Sequence, residues 1–235
     1  EAARVKPVIV LKGGVGEAGA RAAASHTGAL AGSDKVWDGL LRQVGAIRVY
    51  SLEELVDMAV TFSGLPLPSG RRVGVIGIGG GSTVLATDDC TNADLLVPRL
   101  PIAIQDKLKS YLEKGDIGVG LSNPVDLSDQ GFGIFCNCAK VMLDYEGIDL
   151  LIFQIPFGAM GLPFTVTRPI ITDIIKAHKK SNKPIVVVIH SVIFDESWQA
   201  VIECEWRCSE VGIPVYHSLS NAARAITRFL DYHKR

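Results

Sequence analysis

The sequence predicts an α/β protein built on parallel sheets that helices cover on both faces. Three observations carry this. Short β-branched apolar runs alternate with amphipathic helical segments along the whole chain. Glycine-rich turns follow several of the runs, where a strand hands over to a helix. The 235 residues, 48% hydrophobic, suffice for a well-buried core in one large or two small domains.

The elements follow in order. Residues 5–11 read as a buried parallel strand, and Lys12-Gly13-Gly14-Val15-Gly16 as the loop after it. Ser33 is placed to cap a helix in which Val36, Trp37, Leu40, Leu41 and Val44 share a face, with Gly45 as its stop. Residues 46–49 read as a second strand. Ser51-x-x-Glu54 is a capping box opening a helix to about Phe62. Residues 65–70, Leu-Pro-Leu-Pro-Ser-Gly, are a linker by composition.

Beyond the linker, residues 73–78 read as a strand, Gly79-Gly80-Gly81-Ser82 as a turn, and a helix starts near Thr83. Pro101 opens a helix to about Leu112. Asn123-Pro124-Val125-Asp126-Leu127 has the composition of a turn. Helices are expected over 135–145, 170–180 and 196–211, the last stopped by Gly212. Strands are expected over 150–155, 184–189 and 214–216, and Ser220 is placed to cap a final helix to about Tyr232. With four or five strands, residues 71–235 make a complete flavodoxin-sized sheet. Residues 1–66 hold two strands, which bury little, so this unit is expected to be the back half of a domain whose front half lies upstream.

Bulk properties exclude several classes. The net charge of −1 and the lack of a basic block give no footprint for nucleic acid, and aromatics at 7% are sparse for base stacking. No apolar run reaches the roughly 18 residues that read as a membrane span, and residues 1–4 show no signal-peptide pattern. The chain starts without Met, so it is expected to begin inside a longer protein. Cys90, Cys136, Cys138, Cys204 and Cys208 are odd in number and irregular in spacing; they match neither a disulfide framework nor a zinc site, and reduced thiols in the cytoplasm are expected. No metal ligands are assigned.

The candidate chemistry centres on His26. It stands in Ala24-Ser25-His26-Thr27-Gly28-Ala29-Leu30-Ala31-Gly32-Ser33, among small residues and just ahead of a helix. Small neighbours leave room beside the ring, and a helix start offers unpaired N–H groups that favour anions. An imidazole so placed can take a phosphoryl group and give it away; most histidines, however, are structural or solvated. In open α/β sheets ligands sit beyond the carboxyl ends of strands, which directs attention to Gly79-Gly80-Gly81-Ser82, to the Asn123 and Asp126 turn, and to the loop holding Gly158. The glycine turn lacks the P-loop pattern and reads equally as an oxyanion site or as tight strand–helix packing. Asn123 and Asp126 read first as turn formers, then as site support. His178, His190, His217 and His233 have no ligand-like partners; His178 and His233 are expected to be solvated, His190 to be a weak candidate, and Glu203 and Glu205 to be helix surface.

These residues resemble a family. The run from Lys6-Pro7-Val8-Ile9-Val10-Leu11-Lys12-Gly13-Gly14 through Ser25-His26-Thr27-Gly28-Ala29-Leu30-Ala31-Gly32-Ser33-Asp34 is similar to the NDP-forming (ADP-forming) acyl-CoA synthetases, relatives of succinyl-CoA synthetase. The likeness continues through Gly45-Ala46-Ile47-Arg48-Val49, Leu52-Glu53-Glu54-Leu55, Asn123-Pro124-Val125-Asp126-Leu127 and Lys183-Pro184-Ile185-Val186-Val187, and so covers nearly the whole chain. Ser-His-Thr-Gly-Ala-Leu-Ala-Gly is its most specific part. Where the family often carries Asn-Ala-Gly-Gly-Pro-Gly, this chain has Gly77-Ile78-Gly79-Gly80-Gly81-Ser82.

The resemblance implies a succinyl-CoA synthetase-like fold, with residues 1–66 carrying the histidine and 71–235 a second flavodoxin-like ligase domain. It implies a reaction: acyl-CoA, phosphate and ADP interconvert with acid, CoA and ATP through a phosphohistidine, which falls on His26. Ser25, Thr27, Gly28, Gly79, Gly80, Gly81 and Ser82 are the implied phosphate contacts, with Asn123, Asp126 and Gly158 in support. CoA and ATP or ADP are the implied substrates, with Mg2+ on the nucleotide. The implied partners are an ATP-grasp beta subunit or fused domain and an upstream CoA-binding domain, in a homo- or hetero-oligomer. The chain by itself is expected to be inactive. Two alternatives stay open. One is a non-catalytic regulatory module of the kind fused to protein acetyltransferases, in which the histidine is typically replaced, whereas this chain keeps it. The other is a stand-alone phosphate- or nucleotide-binding domain using Gly79 to Ser82.

Overall fold

The computed structural model describes residues 2–27, 32–112, 120–128, 132–155, 164–189 and 195–234. Within them the order is β1 (Ile9–Leu11), α1 (Glu17–Thr27), α2 (Asp34–Val44), β2 (Ile47–Val49) and α3 (Leu52–Gly64). Then come β3 (Val73–Gly77), α4 (Gly80–Asn92), α5 (Ile102–Lys109), β4 (Val125–Asp126), α6 (Phe135–Asp144), β5 (Leu150–Ile155) and α7 (Phe164–His178). β6 (Ile185–Ile189), α8 (Asp195–Ser209), β7 (Val215–Tyr216) and α9 (Leu219–His233) complete it.

Among the described residues β1 and β2 form a parallel pair, and five parallel strands follow the spatial order β4-β3-β5-β6-β7. Counted within the second unit this is 2-1-3-4-5, the flavodoxin order. β3, β5 and β6 are buried at every residue, because helices cover both faces of a parallel sheet. Alternate side chains serve opposite faces. Leu151, Phe153 and Val187 enter a core with Leu108, Met142 and Ile174. Val75, Ile152 and Val188 enter another with Met58, Tyr216 and Ile226. That second core also holds Ile47 and Val49 of β2, so one apolar cluster runs from the five-stranded sheet to the two-stranded one.

α3 makes this continuity possible, packing on β1 and β2 and also on α9. Its start follows the capping box: the Ser51 hydroxyl accepts from the Glu54 N–H at 3.1 Å, while the Glu54 carboxylate reaches back to the Tyr50 N–H at 3.0 Å. Thr61 and Tyr216 share a buried hydroxyl–hydroxyl hydrogen bond of 2.8 Å. Phe62 meets Phe229 and Tyr232 edge-on, at ring-centroid distances of 5.0 and 5.2 Å.

The edge of β3 is assembled from pieces. Its first residue, Val73, donates its N–H to the Leu96 carbonyl at 2.7 Å, and its last two residues pair with β4. Between them the Asn123 side chain takes the place of a neighbouring strand. Its Oδ1 accepts from the Val75 N–H at 2.9 Å, and its Nδ2 donates to the Val73 and Pro98 carbonyls at 2.9 and 3.0 Å. A carboxamide has the donor and acceptor set of a peptide group, so it can complete a ladder. Asn123→Ala would leave the buried Val75 N–H without an acceptor, and is expected to cost about 1–3 kcal/mol, read as a lower urea midpoint with an unchanged m-value.

Several expected boundaries shift. The first strand shortens to Ile9–Leu11. The helix expected near Thr83 starts at Gly80, and the one opened by Pro101 ends at Lys109. The Asn123 segment is not only a turn, since Val125 and Asp126 form β4. The helix expected over 170–180 spans Phe164–His178 and carries Pro169 inside it, a residue that removes one backbone donor from the helix. Ser218, not Ser220, caps the last helix, accepting from the Asn221 N–H at 3.4 Å. Ser33 holds the N-cap position of α2 but its side chain makes no capping bond. Of the apolar face of α2 only Leu41 is buried.

Candidate functional site

His26 lies in the last turn of α1, inside a helix and not ahead of one. α1 was missed because residues 17–27, Glu-Ala-Gly-Ala-Arg-Ala-Ala-Ala-Ser-His-Thr, have no apolar stripe to read. Their alanines were the available signal, since Ala has the best intrinsic helix propensity, and Glu17 sits favourably in the first turn. Ser25 and His26 are exposed. Thr27 ends α1. Gly28, Gly158 and His190 lie outside the described residues.

The glycine turn is the N-terminal turn of α4. Gly79 is its N-cap at φ 106°, a left-handed conformation suited to glycine. The preceding Gly77 is required by packing, since a Cβ there would stand 2.7 Å from Thr83 Cγ2. Gly80 and Gly81 are exposed, and a Cβ on Gly81 would meet nothing within 4 Å. The run thus divides: Gly77 lets the helix approach the strand, while Gly80 and Gly81 leave the helix end open. As first-turn residues, Gly80, Gly81 and Ser82 present N–H groups that no preceding turn of the helix can accept from, at its partially positive end.

Asp126 borders this end. Its Oδ1 accepts from the Gly79 N–H at 3.1 Å and from the Ser128 N–H at 3.0 Å, and also from the Ser128 hydroxyl. Ser128 Oγ accepts from the Gly79 N–H as well, at 2.7 Å. The Ser82 hydroxyl donates back into the backbone, to Gly79 O at 2.7 Å and Ile78 O at 3.1 Å. Gln154, at the end of β5, donates to Ser82 O at 3.2 Å. The structure therefore brings Gly79 to Ser82 together with Asp126. Asn123 supports them from below through the β3 edge, its amide committed to backbone groups. Among the described residues no hydrogen bond or ion pair links His26 to this turn, and no group of three His, Cys, Asp or Glu is placed to hold a metal ion.

Among the other singled-out side chains, His178 departs from expectation. His178 is half-buried, with Nε2 3.1 Å from the Val211 carbonyl, because α7 packs against α8 and Val211 lies in the turn that follows α8. His217 meets Glu205 at 2.6 Å. His233 is exposed, as expected, and its ring meets Phe229 edge-on, with centroids 4.6 Å apart. Glu203 lies within 4.0 Å of both Arg168 and Arg207. The cysteines are unpaired, and burial pushes the Cys90 and Cys138 thiols up to about 12.

Sequence reasoning missed the joint between the two sheets. Glu54 was legible as a helix cap, but its second partners lie far along the chain. Arg228 Nη1 donates to Glu54 Oε2 at 2.9 Å, and Arg224 Nε lies 3.6 Å from Oε1. Burial opposes the charge on Glu54, yet Arg228, the Tyr50 N–H and Arg224 together hold its carboxyl below the ordinary value. One turn along, burial pushes the Asp57 carboxyl up. Beside it a cavity of about 450 Å³ opens between α3 and the α8–β7 segment, lined by Val56, Val60, Ile213 and the Glu205–His217 pair.

Comparison with known proteins agrees with this architecture. A family model described as a succinyl-CoA ligase like flavodoxin domain matches residues 1–62. The alpha subunit of acetate–CoA ligase [ADP-forming] II of Pyrococcus furiosus is 32% identical over 225 residues, covering 94% of this chain and 46% of its own length. The 4-hydroxybutyrate–CoA ligase [ADP-forming] of Nitrosopumilus maritimus is 36% identical over 178 residues, 75% of this chain and 25% of that protein. Among solved structures, the dinucleotide-forming acetyl-coenzyme A synthetase 1 of Ca. Korarchaeum cryptofilum, in complex with phosphate and ADP, superposes with a TM-score of 0.78 at 27% identity, over 99% of this chain and 49% of that one. The chain thus spans about half or less of the length of these relatives. With its parallel flavodoxin-like sheets and a likeness running through both units, the chain is similar along nearly its whole length to the ADP-forming acyl-CoA ligases, and its first 62 residues match the succinyl-CoA ligase like flavodoxin domain.

Proposed function

We propose that this chain is the phosphoryl-carrying portion of an acid–thiol ligase that interconverts acyl-CoA, phosphate and ADP with acid, CoA and ATP. The observation that carries the reading is the Ser25-His26-Thr27-Gly28 motif within the segment that matches the family model, on the same chain as an open helix N-terminus at Gly80 to Ser82. In the proposed sequence, phosphate displaces CoA from the acyl carbon to give an acyl phosphate. A ring nitrogen of His26 then attacks phosphorus; the P–O bond to the acyl group breaks and the acid leaves as its carboxylate. A terminal phosphate oxygen of ADP attacks the phosphohistidine, the P–N bond breaks, and ATP forms. The reverse sequence makes acyl-CoA.

The residues of this chain have defined parts in it. His26 ends an exposed helix, so its ring is accessible to a phosphoryl donor. The N–H groups of Gly80, Gly81 and Ser82 suit the oxygens of a transferring phosphoryl group, as preset donors that need no reorganisation. Asp126 and Ser128 hold Gly79 and so fix the direction of that helix end. Ser25, Thr27 and Gly28 complete the proposed phosphate surroundings, with Gly158 in support. Mg2+ travels with the nucleotide, and we assign it no ligand on this chain. The nucleotide and CoA sites belong to an ATP-grasp beta subunit or fused domain and to an upstream CoA-binding domain, in a cytoplasmic oligomer; the chain alone is expected to be inactive.

The test uses the full-length protein with its nucleotide-binding partner, incubated with γ-labelled ATP and magnesium. Acid-labile, base-stable label on the peptide holding His26, released by ADP or by CoA plus acid, is the expected result. Absence of label, with the partner and nucleotide confirmed competent, would refute the reading and favour a regulatory module.

A further inference from the structure

The proposed transfer joins two units: His26 belongs to the first, through β1 and α1, and the α4 turn to the second. Both groups follow the carboxyl ends of parallel strands, β1 and β3. Their separation depends on how one sheet is held against the other. Along most of α3 that contact is apolar, through Met58, Phe62 and their α9 neighbours. Apolar packing is strong but non-directional. Thr61 and Tyr216 add a hydrogen bond near the far end of the helix. Toward the near end, Asp57 pairs with Asn221 of α9, and at the end itself stands Glu54.

Glu54 is placed to set this register. It lies five residues beyond the last residue of β2, at the same edge from which β1 hands over to α1. Its carboxylate accepts from the Tyr50 N–H and so is fixed to the end of β2. The same carboxylate meets Arg224 and Arg228, in the second and third turns of α9, which follows directly from the end of β7. A single side chain therefore ties the carboxyl edge of one sheet to the carboxyl edge of the other. The Glu54 side chain is 15% exposed and Arg228 is 26% exposed, so the pair is shielded from bulk solvent more than a surface contact is.

We infer that Glu54 is a positioning residue for phosphoryl transfer, holding the His26 unit and the α4 turn in register through Arg228 and Arg224. The inference rests on the phosphohistidine reading. Glu54 touches no substrate; it acts through the orientation of two elements. A displacement of about an ångström at reacting groups can cost up to roughly 100-fold in rate, so a charged anchor between the units has leverage that its own stability contribution does not reveal.

The test compares wild-type, Glu54→Gln, Arg228→Gln and the double variant in the full-length protein with its partner. Glutamine keeps an acceptor for the Tyr50 N–H but removes the charge. Three quantities are read: the melting temperature, kcat against KM for CoA and nucleotide, and the single-turnover rate at which labelled protein gives its phosphoryl group to ADP. The expected result is a fall of roughly 10- to 100-fold in kcat and in the single-turnover rate, with KM unchanged. The double variant should be no slower than the single ones, because both remove the same tie. A single-turnover rate equal to wild-type, or a loss that simply follows the melting temperature, would overturn the inference while leaving the labelled histidine in place. A wild-type protein that takes no label on His26 would overturn the phosphohistidine reading, and this inference with it.

Discussion

Replacing His26 by alanine in the full-length protein is expected to lower turnover by about 1,000-fold or more, as loss of a covalent nucleophile does. The label from ATP on this peptide should vanish in parallel. The fold should be indifferent to the change. His26 is exposed, and its helix buries no residue among those described, so the melting temperature should stay within a degree or so, as for surface substitutions in general. The pairing of a large kinetic loss with an unaltered melt separates a chemical role from a structural one. Wild-type turnover in His26→Ala would end the phosphohistidine assignment.

Asp149→Ala is expected to have the largest effect on stability. This carboxylate is 2% exposed and joins the start of β5 to the start of β3. It accepts from the Arg72 N–H at 2.8 Å, from Arg72 Nε at 3.0 Å and Nη2 at 2.6 Å, and from the Ser69 hydroxyl at 2.9 Å. Removing it leaves the Arg72 main-chain donor and the Ser69 hydroxyl without their acceptor. Arg72 can turn to solvent, its side chain being 45% exposed, so the cost should fall below that of a fully buried pair, at about 2–4 kcal/mol. Urea unfolding at neutral pH reads it directly. An unchanged midpoint would show that solvent replaces the carboxylate without loss.

The same residue sets a pH dependence of known sign. Burial disfavours the Asp149 charge, but the Arg72 guanidinium, the Arg72 N–H and Ser69 outweigh it and hold the carboxyl below its ordinary value. A depressed carboxylate binds its proton less readily folded than unfolded. Its contribution is therefore complete above the unfolded value of about 3.9 and is lost as pH falls through the lower, folded value. The stability gap between wild-type and Asp149→Ala should be constant at neutral pH and shrink below about pH 4.

Much of this molecule is local in origin and was legible as such. Residues 150–155 and 184–189 read as buried strands because an unbroken apolar run of that length has few other homes, and β5 and β6 fall there. Gly45 and Gly212 end or follow helices at φ of 74° and 75°, where glycine has no steric competitor. The Ser51 cap needed only its neighbour three residues on. His26 was singled out by its motif, without any knowledge of its surroundings.

The residues misread share a different cause. α1 has no apolar periodicity, so its helical state rests on alanine propensity alone. Asn123 carries the composition of a turn, yet its amide serves as a strand, because Val73 and Val75 present groups that nothing else at that edge satisfies. His178 was expected to be solvated, since the Val211 carbonyl comes to it only after α7 and α8 have packed.

The sequence by itself determined the alternation of strands and helices and the parallel sheets, carried the family resemblance, and singled out the residue proposed to carry a phosphoryl group. These depend on patterns within a few residues, where backbone geometry and apolar spacing act. Tertiary structure alone decided which polar groups are committed and which are open: Asn123 to the β3 edge, Asp126 to Gly79, Glu54 to Arg228 across 174 positions. A buried polar group must find its partner wherever the chain delivers one, and that address is not written near the residue itself.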